Sequence, residues 1–307
     1  MPQAPPPHRP PWNSEVVDSK ILHSGGAAIQ VDFGPGRFDL PREQLLAWVQ
    51  MVADTVSAYY GKFPVRSARI LIQPVPGEHG VVQGTTWGDV GGFPAFIRLR
   101  LGEQTTADDL KQDWTLTHEM VHTAFPTMDD NHHWIEEGIA TYVEPVARVQ
   151  RGLLQPEQIW GDMARDMPKG EPAAGDRGLD LTHTWGRTYW GGALFCLVAD
   201  VTIREQTGNR KGLQDALRGI VAAGGTIDQE WTLERALREG DKATGTTVLL
   251  DLYHQMGTSP QTVDLDKLWA KLGVRVVDGR VHFDDHAPEA AIRESITRSP
   301  SSDRKAI

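Results

Sequence analysis

The stretch D-W-T-L-T-H-E-M-V-H-T-A-F-P, residues 113–126, decides how the rest of this chain is interpreted. His118 and His122 are four residues apart, so on an α-helix they differ by about 40° around the axis and project from one face. Two such imidazoles can bind a single Zn²⁺ ion, and Glu119 lies close enough to touch a water beside it. An amphipathic helix that merely carries two partly buried histidines is the alternative, because a catalytic zinc usually takes three protein ligands.

The next predicted helix supplies a third ligand. Its sequence, H-W-I-E-E-G-I-A-T-Y-V-E over residues 133–144, has an apolar face but places Glu136 and Glu137 directly before Gly138. A glycine removes a side chain and allows two helices to approach closely. A carboxylate buried against two histidines is costly unless a cation compensates it, and a zinc ion would do so.

Together these two stretches resemble the gluzincin metallopeptidases, most nearly the aminopeptidase-N-like and glycyl-aminopeptidase-like families. The second helix of those families reads roughly W-[LIV]-x-E-G-x-[AT]-x-Y-x-E, and the glutamate before the glycine is the third zinc ligand. The resemblance therefore implies one Zn²⁺ bound by His118, His122 and Glu137. It also implies that Glu144, seven residues after Glu137, orients one of the histidine ligands.

A third block, T-Y-W-G-G-A-L-F over residues 188–195, resembles the Y-x-K-G-A-x-x-[FL] segment of the same families. The tyrosine hydroxyl of that segment stabilises the oxyanion of the tetrahedral intermediate, and this role falls on Tyr189. Gly191 stands where the family has a lysine. The implied mechanism uses a zinc-activated water, with Glu119 as the general base that passes the proton to the leaving amine.

The resemblance implies a zinc metallopeptidase that hydrolyses peptide bonds in a peptide or protein substrate. The alternative is a zinc-binding gluzincin-like protein with a binding or scaffold role and no peptidase activity. Aminopeptidases of this kind bind the substrate's α-amine through a G-x-M-E-N strand, which we expect here at G-G-F-P-A-F-I-R, residues 91–98. Because that segment has no carboxylate, both aminopeptidase and endopeptidase action stay open.

Three further histidines lie near the predicted site. His132 and His133 precede the second helix, and we expect them to be exposed to solvent and not to bind the metal. His183 lies six residues before Tyr189. We expect a structural role for His183, with a hydrogen bond to substrate as the alternative.

The order of the predicted elements is typical of an α+β protein, with a small mixed sheet first and helices afterwards. The expected architecture is a zincin-like metallopeptidase fold in which an N-terminal mixed sheet packs on a mainly helical C-terminal part. Residues 76–94 are rich in glycine and predict a flexible loop, and residues 151–183 predict irregular structure. The other predicted elements are strands over 26–34, 68–75 and 95–101, one helix from the T-T-A-D-D-L stretch through Phe125, helices over 41–60, 132–150, 186–207, 210–223, 230–239 and 246–256, and a hairpin over 274–283.

The predicted domain organisation is one compact catalytic domain over residues 16–290. The sheet and the zinc helix occupy about 16–125, and the helical part occupies 126–290. A proline-rich disordered tail over 1–15 and a second disordered tail over 291–307 flank the domain.

Composition excludes several classes of function. The 307 residues carry a formal net charge of −10 with no run of basic residues, so we expect no nucleic-acid partner. No stretch reaches the roughly 20 apolar residues that a spanning helix needs, so no membrane insertion is expected. Cys196 is the single cysteine, so an intramolecular disulfide is impossible. The compartment (cytoplasm, or export with a signal sequence absent from this chain) and the oligomeric state stay open.

Overall fold

The computed structural model describes residues 10–298 of the chain. A short 3₁₀ turn at Pro11–Asn13 leads into a five-stranded sheet, and most of the helices follow it. The strands of this sheet are β1 (Asp18–Ser24), β2 (Ala27–Phe33), β3 (Ser67–Val75), β4 (Val81–Val90) and β5 (Phe93–Gly102).

Eleven α-helices and a two-stranded hairpin are found among the described residues. The hairpin consists of β6 (Val274–Val277) and β7 (Arg280–Phe283), and a π-helix spans Gly186–Gly191. The helices are α1 (Arg42–Tyr60), α2 (Ala107–Gln112), α3 (Thr115–His122), α4 (His133–Gln150), α5 (Pro156–Asp166), α6 (Gly192–Thr207), α7 (Leu213–Ala222), α8 (Leu233–Thr244), α9 (Val248–Met256), α10 (Leu265–Leu272) and α11 (Ala290–Thr297). None of the helices in this part of the chain is both long and apolar enough to cross a membrane.

The sheet is mixed, with strand order β1-β2-β3-β5-β4. The three central strands are parallel, and the outer strands β1 and β4 run antiparallel to their neighbours. Val31, Ile70 and Ile97 lie opposite one another across the central strands, and all three are fully buried. Because this centre is buried, β2, β3 and β5 contain enough apolar residues to be predicted as strands. The strand order places β4 at an edge of the sheet.

Helix α1 confirms the prediction over residues 41–60. It begins directly after Pro41, whose ring fixes a backbone angle compatible with a helix start, and it ends at Gly61 in the left-handed conformation (φ 80°). Leu45, Val49 and Val56 are fully buried along one side of the helix. The apolar residues that recur about every 3.6 positions in this segment therefore form the helix face that packs in the core.

The prediction of a flexible loop over 76–94 is wrong for most of its length. Residues Val81–Val90 form β4, in which Gly84 lies opposite Leu99 and Thr86 lies opposite Ile97 of β5. The glycine content of the segment suggested a loop, but pairing with β5 imposes an extended backbone. Tertiary context commonly overrides strand propensity in this way.

The single helix predicted through Phe125 is interrupted. Asp113 adopts an extended conformation between α2 and α3 (φ −60°, ψ 131°). Its carboxylate accepts hydrogen bonds from the backbone N–H groups of Thr115 and Leu116, at 3.1 and 3.0 Å. An aspartate that satisfies the free N–H groups of a first turn starts a new helix, so α3 has its own beginning and its own direction.

Two segments predicted as irregular or disordered are helical. Helix α5 lies within 151–183, and α11 occupies residues 290–297, so the predicted tail from residue 291 is wrong over that helix. Ile292 and Ile296, four residues apart, are buried on one face of α11, which is the pattern of an amphipathic helix. Residues 299–307 of the predicted tail lie outside the described residues.

The predicted N-terminal tail is also wrong for its last part. Trp12 lies in the 3₁₀ turn, its ring packs against Trp87 and Phe96 at 6.3 and 6.5 Å, and its carbonyl accepts a hydrogen bond from Arg69. These contacts fix the chain on the outer face of the sheet. Residues 1–9 of the predicted tail lie outside the described residues.

Helices α4 and α6 approach each other so closely that their backbones touch. A Cβ atom added to Gly138 would lie 2.4 Å from the Cα atom of Gly192, and one added to Gly192 would lie 2.1 Å from the carbonyl oxygen of Trp134. Both clashing atoms belong to the backbone, which cannot rotate away from the added atom as a side chain can. The two glycines therefore set the distance between α4 and α6.

Gly138→Ala is expected to destabilise the protein, although alanine favours a helix over glycine by about 1 kcal/mol. Overpacking against rigid neighbours costs about 1–3 kcal/mol, so we expect a clear fall in the thermal unfolding midpoint. Gly161→Ala in α5 is the matched control, because its Cβ would meet only a flexible side-chain methyl of Val281 at 2.8 Å. Equal midpoints for the two variants would contradict the role given to Gly138.

Candidate active site

Three side chains from α3 and α4 converge on one point. The Nε2 atoms of His118 and His122 lie 3.0 and 3.7 Å from Oε2 of Glu137. One ligand atom from each residue can be chosen so that all three lie within 4.8 Å of one another. The three residues predicted as metal ligands are therefore brought together in a group that could hold a metal ion.

The protonation states of His122 and Glu137 suit metal binding, which requires neutral histidines and an ionised carboxylate. Burial lowers the pKa of His122 to about 4, with the neighbouring His118 adding to the effect. Burial alone would raise the pKa of Glu137. The hydrogen bond with His118, together with the positive charge that the neighbouring histidines carry when they are protonated, outweighs it and lowers that pKa to about 2.

Glu119, the predicted general base, lies beside the ligand group on α3. Its side chain is buried against β4, and the Thr86 hydroxyl donates a hydrogen bond to Oε2 at 2.5 Å. Burial raises the pKa of Glu119, and the hydrogen bond from Thr86 partly offsets the rise. A carboxylate of raised pKa is a stronger base than an exposed glutamate.

Tyr189 approaches the group from the π-helix Gly186–Gly191. Its ring lies nearly parallel to that of His118, with centroids 6.3 Å apart and an interplanar angle of 22°. Burial raises the pKa of Tyr189 to about 12, and the charges of Glu137 and Glu119 contribute to the rise. The phenol therefore keeps its proton near neutral pH and is available as a hydrogen-bond donor.

Glu144 is buried further along α4, where its carboxylate accepts a hydrogen bond from Arg148 at 2.7 Å. Burial raises the pKa of Glu144 to about 7, although Arg148 and His118 act in the opposite direction. Arg148 also donates to the carbonyl oxygen of Lys111 at the end of α2. Glu144 thus ties α4 to α2 through Arg148, and its predicted role in orienting a histidine ligand stays a prediction.

The three further histidines have different surroundings. Nδ1 of His132 lies 3.0 Å from Asp180, a buried carboxylate that also accepts from Trp134 and Tyr253, so His132 is not the free loop histidine we expected. His133 is half-exposed as predicted, yet its Nε2 lies 3.3 Å from Oε1 of Glu137.

His183 is exposed and is not among the residues that line the cleft. Its position gives no support to a hydrogen bond with substrate.

The ligand group opens into a cleft of about 1060 Å³ between β4, α3, the start of α4 and the segment 227–230. Thr127 holds that segment, because its hydroxyl donates to the carbonyl of Ile227 at 2.8 Å and its N–H donates to Gln229 at 2.9 Å. Among residues 10–298, those that line the cleft include no lysine or arginine. Trp114, half-exposed at the entrance, packs edge-on against His118 at 5.5 Å.

Sequence reasoning missed the residues of β4, above all Gly84 and Thr86. Residues 91–98, where we expected the strand that binds the substrate's α-amine, do not line the cleft. The edge strand β4 borders the cleft, and β5 (Phe93–Gly102) pairs with β4 inside the sheet. The run V-V-Q-G-T-T-W contains β-branched and aromatic residues of the kind that favour strands. That pattern could have indicated a strand had the flanking glycines not suggested a loop.

Comparison with known sequences gives no match: no family model and no curated protein matches this chain. Solved structures do match. An aminopeptidase N family protein from Idiomarina loihiensis superposes with a TM-score of 0.60 at 14% identity, covering 85% of this chain and 50% of the other. An M1 zinc metallopeptidase from Deinococcus radiodurans gives a TM-score of 0.50 at 14% identity, covering 80% of this chain and 54% of the other.

A mutant of the Deinococcus radiodurans enzyme bound to a Tyr-Ser-Ala substrate gives a TM-score of 0.51 at 13% identity, covering 80% of this chain and 52% of the other. The present chain thus spans about half the length of the proteins it resembles. At this level of identity the likeness concerns the fold. The predicted fold class is confirmed: a mixed sheet followed by a mainly helical part, arranged as in M1 zinc metallopeptidases.

Proposed function

We propose that this protein is a zinc-dependent metallopeptidase. The observation that carries the proposal is the convergence of His118, His122 and Glu137 at the floor of a cleft that also contains Glu119 and Tyr189. Two imidazole nitrogens and one carboxylate oxygen form a donor set of the kind found in catalytic zinc sites. When bound, zinc supplies Lewis-acid chemistry and lowers the pKa of a coordinated water to roughly 7.

The residues around the ligand group supply the proton transfer and charge stabilisation that hydrolysis needs. Glu119 accepts the proton of the attacking water and donates it to the leaving amine. Tyr189, protonated because burial raises its pKa to about 12, donates a hydrogen bond to the oxyanion that develops on the peptide carbonyl.

The edge position of β4 favours an extended peptide as the substrate. An edge strand has backbone N–H and C=O groups that its own sheet leaves unpaired, and an extended peptide can pair with them. The β4 residues alternate in direction, so Gly84, Thr86 and Gly88 share one face, which lies against Glu119 of α3 at Gly84 and Thr86 and against Ile227 at Gly88. None of these three carries a charge for an α-amine, so the α-amine of a substrate would have to pair with other carboxylates that line the cleft, such as Glu136 and Asp228.

A chelator-treated sample is expected to lose peptidase activity and to regain it with one equivalent of zinc. Glu137→Gln should bind zinc weakly, because it loses the anionic ligand, whereas Glu136→Gln, its neighbour, should still bind one equivalent. Metal analysis after dialysis gives the stoichiometry of each variant. Full zinc occupancy in Glu137→Gln would refute the ligand assignment.

Glu119→Gln is expected to keep its zinc but to lose activity by about 10²–10⁴-fold, since the amide cannot accept the proton. Mass spectrometry of a cleaved peptide library measures the activity and the cleavage positions together. Products from internal cleavage would support an endopeptidase, and release of single N-terminal residues would support an aminopeptidase. A zinc-loaded Glu119→Gln protein with undiminished activity would show that the base is another group.

Tyr189→Phe is expected to reduce kcat by about 10²-fold, with KM and zinc content little changed, because it removes one donor to the oxyanion. Tyr253→Phe is the matched control, since that hydroxyl donates to Asp180 at 3.0 Å and not to the cleft. Equal kcat values for the two variants would exclude the proposed role of Tyr189.

A further inference from the structure

The face of β4 toward α3 is built around the carboxylate of Glu119. Thr86 Oγ1 lies 2.5 Å from Oε2 of Glu119 and 3.1 Å from the backbone oxygen of the same residue. A hydroxyl has one proton to donate, and the shorter contact to the ionised oxygen is the stronger. Thr86 therefore donates to the Glu119 carboxylate.

Two residues before Thr86 on the same face, Gly84 leaves the space that this carboxylate fills. A Cβ atom at Gly84 would lie 2.6 Å from Cγ and 2.7 Å from Oε1 of Glu119. Any side chain at this position would collide with the glutamate. Gly84 and Thr86 together form a seat for Glu119, one by lacking a side chain and the other by donating a hydrogen bond.

The seat distinguishes the two oxygens of Glu119. Oε2 is engaged by Thr86, whereas no hydrogen bond to Oε1 is found among residues 10–298. A glutamate has three side-chain torsions, and a free one would spend much of its time away from the position that proton transfer needs. An error of about 1 Å in such a position can reduce a rate by about 10²-fold.

We propose that Thr86 is a positioning residue for the reaction, which fixes Oε2 of Glu119 so that Oε1 is presented to the attacking water. This inference rests on the proposed peptidase function and adds to it a requirement that the ligand motif does not contain. It assigns a functional part to the glycine-rich segment that precedes β5. The alternative is that Thr86 serves only as a β-branched strand residue that fills space against α3.

Thr86→Val and Thr86→Ser separate these alternatives in the full-length, zinc-loaded protein. Valine keeps the shape and β-branch of threonine without the hydroxyl, and serine keeps the hydroxyl with less bulk. We expect Thr86→Val to lower kcat by roughly 10- to 100-fold with KM and zinc content unchanged. Thr86→Ser should retain kcat to within about threefold, since it still donates to Glu119.

Thr85→Val provides the matched control. Thr85 is the adjacent threonine of the same strand, and its hydroxyl donates to the carbonyl oxygen of Gly84 at 2.6 Å, not to Glu119. Because Thr85 shares the strand but not the contact with Glu119, we expect Thr85→Val to lower kcat much less than Thr86→Val does. A fall in kcat as large as that of Thr86→Val would attribute the effect to strand distortion and overturn the proposal.

A double-mutant cycle with Glu119→Gln gives the decisive comparison. If Thr86 acts through Glu119, adding Thr86→Val to Glu119→Gln should leave the residual kcat unchanged, because interacting residues are not additive. A further loss in the double variant as large as the loss that Thr86→Val causes alone would overturn the proposal. So would equal losses in Thr86→Val and Thr86→Ser, which would show that the packing matters and the hydroxyl does not.

Failure of the positioning proposal can be told apart from failure of the proposed function. A wild-type protein that binds zinc but cleaves no member of a peptide library would overturn both. An active wild-type protein whose kcat is unaffected by Thr86→Val would overturn only the role of Thr86. Circular dichroism and zinc content, measured for each variant, identify any loss of activity that comes from misfolding.

Discussion

Four ionisable side chains, His118, Glu119, His122 and Glu137, are withdrawn from solvent at one place, and the surrounding structure has to compensate for that. Even after relaxation, an unpaired buried ion costs several kcal/mol. All four are accounted for: His118 and Glu137 form a hydrogen bond with each other, Glu119 accepts a hydrogen bond from Thr86, and His122 is neutral at neutral pH. Burying these ionisable side chains together costs free energy if they serve only as packing. A bound cation would offset that cost.

The compensation requires elements that are far apart in the chain to meet within a few ångströms. β4 contributes residue 86, α3 contributes residues 118–122, α4 contributes residue 137 and the π-helix contributes residue 189. The interruption at Asp113 gives α3 an orientation independent of α2. The π-helix is a rare conformation that occurs often at functional sites, and here it carries the tyrosine that faces the ligand group.

How far the sequence predicted this arrangement depends on the range of the interactions. The His118–His122 pair is set by helical periodicity alone, and Glu137 lies on a helix whose apolar pattern is plain, so the ligand group could be identified from residues and family resemblance. The central strands β2, β3 and β5 were predictable because apolar residues alternate along them, such as the fully buried Ile29, Val31 and Phe33 of β2. β4 was not, since its extended backbone depends on pairing with β5, and its glycines serve a contact with α3 that is distant in sequence. The start of α3 was missed for a related reason, because Asp113 acts through side-chain hydrogen bonds that a hydrophobic pattern does not contain.

The contact between Gly138 and Gly192 limits which amino-acid substitutions this fold can accept. Most core positions tolerate sequence change, because a larger side chain at one position can be accommodated by a smaller side chain at the position it packs against. Here neither partner has any side chain to give up, so no single compensating exchange exists for a gain of even one methyl group. Sequences that share this helix crossing are constrained to keep both glycines or to replace the crossing altogether. The requirement for these two glycines comes from the backbone contact alone and does not depend on the metal ligands beside it.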